Sequence, residues 1–220
     1  MTKPRHEILQ KVRRAIQHRL SRRSATQPIG RHVRPGSASG SQRALVQRFC
    51  KMAALANATV DIVKDHHSVP KAIGQFMLQE GLGDRIVMPP SDTLQRLSWN
   101  DVPSLSIKHN WQISPTDRVS LTDVVAGVAE TGTLLVRSAA DVANAFYFLP
   151  EAHIAILKSR NLVGSYEDAL DLLRASGDLP RAATFITGPS RTADIEKTPQ
   201  IGVHGPRQLH IVLFDDSATG

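Results

Sequence analysis

Apolar and polar positions along the chain alternate between helical and strand periods, and the breaks between them set the elements. Between Pro4 and Leu20, Ile8, Val12, Ile16 and Leu20 recur every four residues with Leu9 beside them, a single apolar stripe that predicts a helix. The segment 21–41 is rich in Arg, Ser, Gly and Pro and reads as a flexible linker. The folded body is expected to begin near Gln42, which gives an N-terminal helical arm over 1–41 and an α/β domain over 42–220.

Within the body, Arg43–Ala58 reads as a helix with Leu45, Val46, Phe49 and Met52 turned inward. Val69–Glu80 reads as a second helix, ended by Gly81 and Gly83 in left-handed conformations. Tyr166–Ala175 reads as a third, ended by Gly177. Short apolar runs fall between and after them: Thr59–Val63, Arg85–Met88, Val119–Leu121, Val124–Ala129, Thr133–Val136, His153–Leu157, Leu162–Val163, Thr184–Thr187 and Leu209–Phe214. Continuous apolar strands separated by helices imply a mostly parallel sheet covered on both faces. There is no internal repeat, no P-loop and no GxGxxG after a strand, so neither motif predicts ATP or NAD binding.

Charge changes the picture only at one end. The chain of 220 residues has a net charge of +7, yet residues 1–51 carry 13 basic side chains against the single acid Glu7. The remainder is mildly acidic. A basic arm of this kind is read first as a solvated leader, with docking to an acidic partner as the second reading. Nucleic-acid binding is disfavoured, because few aromatic residues accompany the arginines and no recognised binding motif is present. No apolar run reaches the roughly 18 residues of a membrane span, and the basic N-terminus has no secretory apolar core. With one cysteine, Cys50, the chain has no internal disulfide and cannot alone supply the thiolates of an iron–sulfur cluster. A cytoplasmic, metal-free chain is the expectation.

Three segments carry candidate chemistry. Glu130, Thr131, Gly132 and Thr133 follow a strand and set a carboxylate and two hydroxyls around a glycine that permits close backbone approach. Glu130 can serve there as base, nucleophile or anchor, or it can cap a turn while the threonines bond local backbone. The second segment runs from Gly188 through Pro189, Ser190, Arg191 and Thr192 to Glu196, after the strand at 184–187. If a helix starts there, its N–H groups, two hydroxyls and a guanidinium form a cradle for a carboxylate or phosphate. N-capping by Ser190 or Thr192, with Arg191 paired to Asp194 or Glu196, is the plainer alternative. The third segment is Gly202–Arg207, where His204 beside Gly205 is read either as a titrating ligand contact or as a turn histidine. His153, in the run Leu149–His153, opens a buried strand and is read as structural.

Together the Ala129–Thr133 run, the Pro150–His153 strand entry, the Gly188–Glu196 segment and the Gly202–Arg207 turn resemble the LutC/YkgG family of LUD-domain proteins. The resemblance covers roughly Thr59 to Asp215. It implies a three-layer α/β fold of the NagB/RpiA/CoA-transferase-like type. It also implies an accessory role in a system that oxidises L-lactate to pyruvate, with iron–sulfur clusters on partner subunits and no cofactor in this chain. A small organic acid or phosphorylated compound is the expected ligand, and a homo-oligomer is compatible with it. No assigned catalytic residue comes with the resemblance. The alternative is a stand-alone enzyme acting on CoA esters or sugar phosphates through Glu130.

Overall fold

The structure is a computed structural model that describes residues 10–11, 13–14, 39–138, 143–177, 179–193, 199–201 and 205–214. The chain divides into two compact units, Met1–Val33 and Arg34–Gly220. In the first, the described residues Gln10, Lys11, Arg13 and Arg14 are helical.

In the second unit, helix α1 (Gln42–Leu55) starts at Ser41, whose hydroxyl accepts from the Ala44 N–H and so satisfies one of the free donors of the first turn. Phe49 and Ala53 form its buried face. Strand β1 (Thr59–Val63) follows, then α2 (Val69–Gln79), which places Val69, Ala72, Ile73, Phe76 and Met77 inward at helical spacing. Gly81, at φ +63°, ends that helix where a residue with a Cβ would be strained. The chain continues through β2 (Arg85–Met88), the one-turn helix α3 (Asp92–Gln95), β3 (Ser106–His109) and β4 (Val119–Asp123). Next come β5 (Ala126–Val128), β6 (Thr133–Arg137), the short helix α4 (Ala145–Phe148), β7 (Ala152–Lys158) and β8 (Leu162–Val163). Helix α5 (Tyr166–Ala175) carries a capping box, with Ser165 and Asp168 bonding each other's backbone N–H. Strands β9 (Ala183–Ile186), β10 (Arg191–Ala193), β11 (Pro199–Ile201) and β12 (Gln208–Phe214) complete the order.

Six strands form an all-parallel sheet in the order β1-β12-β7-β4-β2-β3. Alternation along its strands decides the layers. Ile154 and Ile156 of β7 pack with Val212, Leu121, Ile86 and the inward face of α2. Their neighbours Ala155 and Leu157 turn the other way, onto Phe49 and Ala53 of α1 and onto Leu134 of the second sheet. Fully burying a side chain such as Ile73 or Ile154 stabilises the fold by about 1.5–3 kcal/mol.

A second sheet, β8-β5-β6-β9, is mixed: β5 and β6 form a tight hairpin, β9 is antiparallel to β6, and β8 is parallel to β5. Its outer face, with Ala126, Val128 and Leu135, is covered by Ala169 and Leu173 of α5. The layered, mostly parallel α/β architecture expected from the apolar runs is therefore present. The pattern of runs assigned them to one sheet, whereas the tight turn after β5 forces β6 to return antiparallel and seeds a separate one. Strand β3 was not anticipated, because a half-exposed edge strand has no continuous apolar run. Among the described residues no helix is long and apolar enough to cross a membrane.

Candidate functional site

The segments that stood out in the sequence meet at one side of the second sheet. Thr131 and Thr133 bring their hydroxyls to 2.7 Å of each other, and Thr133 Oγ1 also lies 2.7 Å from Thr187 Oγ1. The Tyr166 hydroxyl joins both threonines at 3.0 and 3.1 Å. Four hydroxyls, from the β5–β6 turn, β6, α5 and the residue after β9, thus satisfy one another. Thr133 is fully buried, and each of its contacts is made within the protein. Glu130 is half-buried beside this cluster, and its backbone N–H donates to the Gly164 carbonyl.

Gly132 and Gly188 both make close approaches, and the partner of each is α1 or its C-terminal end. A Cβ on Gly132 would lie 2.2 Å from the Ala53 nitrogen, and one on Gly188 would lie 2.0 Å from the Ala56 oxygen. Sequence reasoning had assigned the closeness at Gly132 to a ligand. The contact is a packing contact within the chain.

The segment after Ser190 is also different from expectation. Arg191–Ala193 forms β10 and pairs antiparallel with β11, so no helix N-terminus stands at those residues. The anion cradle inferred for Ser190, Arg191 and Thr192 needed one. The strand wins because the returning segment 199–201 offers a ladder to these backbone groups. Arg191 is exposed. His204 lies outside the described residues, while Gly205 lies against Ser190, whose N–H donates to the Pro206 carbonyl at 2.9 Å. The second and third segments therefore do converge. Gly188, Ser190 and Gly205 share a cavity of about 280 Å³ with His153, Tyr147 and Phe148.

A different set of residues gathers at the carboxyl ends of the parallel strands. Pro90 and Ser91 follow β2, Asp123 ends β4, and Lys158 and Phe214 end β7 and β12. These positions border two adjoining hollows of about 490 and 460 Å³ that share Asp92 and Thr93 in their walls. After β2 the chain moves outward to β3, and after β4 it moves inward to β7, so β2 and β4 flank a topological switch point. Open α/β sheets bind ligands in such crevices, where neighbouring connections leave to opposite sides. Arg96, Arg137, Lys158 and Arg160 face two carboxylates there, Asp92 and Asp123, which leaves cationic charge in excess. The Lys158 ammonium donates to Thr93 Oγ1 at 3.4 Å. Sequence reasoning passed over these residues because each stands alone in the chain. The available signal was a polar residue at the end of each buried strand.

Solved and curated proteins bear on this architecture. A crystal structure of a DUF162 family protein from Deinococcus radiodurans superposes with a TM-score of 0.59 at 19% identity, over 80% of this chain and 99% of that one, a likeness of fold. Lactate utilization protein C of Bacillus subtilis (strain 168) is 35% identical over 102 residues, 44% of this chain and 42% of that protein. Lactate utilization protein C of Deinococcus radiodurans is 29% identical over 154 residues, 67% of this chain and 71% of that protein. The match to the Bacillus protein thus spans less than half of its length. The LUD domain model matches residues 46–214, which run from α1 to the last residue of β12, and the chain belongs to the LUD domain family.

Proposed function

We propose that this chain is a non-redox subunit of a lactate-utilization system that binds a small organic acid at the carboxyl edge of its parallel sheet. Its kinship with proteins named lactate utilization protein C supports the pathway. The observation that carries the ligand class is the hollow at the carboxyl ends of β7 and β12, adjoining the switch point, where Lys158, Arg160 and Arg96 stand beside Thr93. An ammonium and guanidinium groups suit a carboxylate, the latter by paired N–H donors. The Thr93 hydroxyl, already within reach of Lys158, suits the 2-hydroxyl or 2-oxo group next to that carboxylate. A single thiol in the whole chain, Cys50, accords with clusters carried by partner subunits.

Isothermal titration with L-lactate, pyruvate and phosphate, against uncharged lactamide, tests the ligand. Saturable binding of a carboxylate is expected, weakened at least tenfold in Lys158→Ala, since a charge-assisted hydrogen bond contributes about 1.5–3 kcal/mol. Binding to none of the anions, or equal binding of lactamide, sinks the ligand. Deleting the gene from the source organism tests the pathway: growth on L-lactate should fail while growth on glucose persists. Unimpaired growth on lactate would sink that part.

A further inference from the structure

The 280 Å³ cavity lies beside the amino ends of β7 and β12, where His153 and Leu209 are the second residues of their strands. His153 and Lys158 stand five positions apart on β7, roughly 16 Å along the strand, and among the described residues only Tyr147 borders both the 490 Å³ hollow and this cavity. Its walls are apolar and aromatic, chiefly Tyr147, Phe148, Phe185 and Leu209. Phe148 and Phe185 are 41% and 38% exposed, unusual for phenylalanine, and stand where the cavity meets the surface. Among the described residues, no Lys, Arg, Asp or Glu lines it.

Among the described residues, Ser190 and His153 interrupt these walls with polar side chains, and the Tyr147 hydroxyl donates to the Arg137 carbonyl. His153 is 1% exposed, and its Nε2 lies 2.8 Å from Thr122 Oγ1. Its Nδ1 is equally buried and has no hydrogen-bond partner among the described residues. A buried ring nitrogen left unpaired costs about 1–3 kcal/mol, which a ligand group placed against it would recover. The histidine is neutral at physiological pH, because burial pushes its pKa down to about 4. Among the described residues a charged guest would find no counter-ion here, and it would forfeit its hydration. Because a threonine hydroxyl can donate to Nε2 or accept from it, Nδ1 can present either a lone pair or a proton. The volume falls at the lower end for ligand pockets, about 300 Å³, which fits one ring or a short aliphatic body.

We propose that this cavity, where the Gly188–Ser190 and Gly205 segments meet His153, binds a small neutral molecule with an apolar body and a single hydroxyl, amide or carbonyl group bonded to His153. The site is additional to the anion crevice and does not rest on it.

The test uses the full chain with 15N-labelled histidine and three probes: phenol, toluene and benzoate. Phenol should bind saturably, move the His153 Nδ1 resonance, and bind at least tenfold more tightly than toluene or benzoate. In His153→Phe that preference for phenol over toluene should vanish, while titration with L-lactate is unchanged from wild type. The wild-type measurements stand alone should the variant not fold. An unmoved His153 resonance on phenol titration, equal affinity for phenol and toluene, or a crystal structure with phenol in which Nδ1 holds only a water would each overturn the proposal.

Discussion

Gly132 stands against α1 so closely that a methyl group on its Cα would lie 2.2 Å from the backbone nitrogen of Ala53. Its φ of +67° adds a second constraint, since L side chains are strained there. Gly132→Ala must therefore push the β5–β6 turn off the helix as well as strain the backbone. A loss of about 2–5 kcal/mol is expected from strain and overpacking together. Gly81 has a similar φ of +63° but open space around it, so Gly81→Ala should cost only about 1–2 kcal/mol. Urea denaturation of the two variants checks the difference. Equal losses would show that the close approach to α1 does not constrain the turn.

Thr133 is the hub of the hydroxyl cluster, with Thr131, Tyr166 and Thr187 all within 3.1 Å of its Oγ1. Thr133→Val keeps the shape and strands its partners, so a loss of about 1–3 kcal/mol is expected. Thr187→Val should cost less on its own, because Thr187 joins this group through its bond to Thr133. The double variant should be less destabilised than the sum, by about 0.5 kcal/mol or more, as for residues in one network. Strict additivity in thermal or urea melts would show that the four hydroxyls do not act together.

Acid should weaken this fold earlier than carboxylate titration alone would. Burial pushes His153 from 6.5 to about 4. Burial pushes His210 to about 4 as well, with Asp61, 3.7 Å from its Nε2, working in the opposite direction. Both pKa values are lower in the folded state than in the unfolded one, so the unfolded chain takes up protons first as pH falls. Stability is then fully present above pH 6.5 and is lost progressively toward pH 4. For His153 the full loss is about 3 kcal/mol. Urea midpoints measured from pH 7.5 to 5 should fall steadily, and His153→Gln should reduce the slope. An identical slope in that variant would mean that the histidine is not held neutral.

Much of the body was legible because its strands are continuous apolar runs. Thr59–Val63 and Arg85–Met88 have the same bounds in sequence and structure, and Tyr166–Ala175 is a helix in both. Apolar runs carry their own boundaries, since a buried strand must stop where polar residues begin. Ser106–His109 was not legible, because half-exposed residues at a sheet edge mix polar and apolar types. Likewise Arg191–Ala193 takes its conformation from a partner strand, and its own three residues do not dictate it.

The order of apolar and polar residues determined by itself that this chain folds as a layered α/β body and which segments are unusual in it. It could not determine which strands become neighbours. Pairing is a long-range choice, made when β12 inserts between β1 and β7 and when the hairpin after β4 leaves to form its own sheet. That choice brings Asp123, Lys158 and Phe214 to one edge of the sheet, and Ser190 and Gly205 to His153 some way below it. Residues isolated in the chain become a crevice only because parallel strands end at the same edge, and that alignment exists only in the assembled sheet.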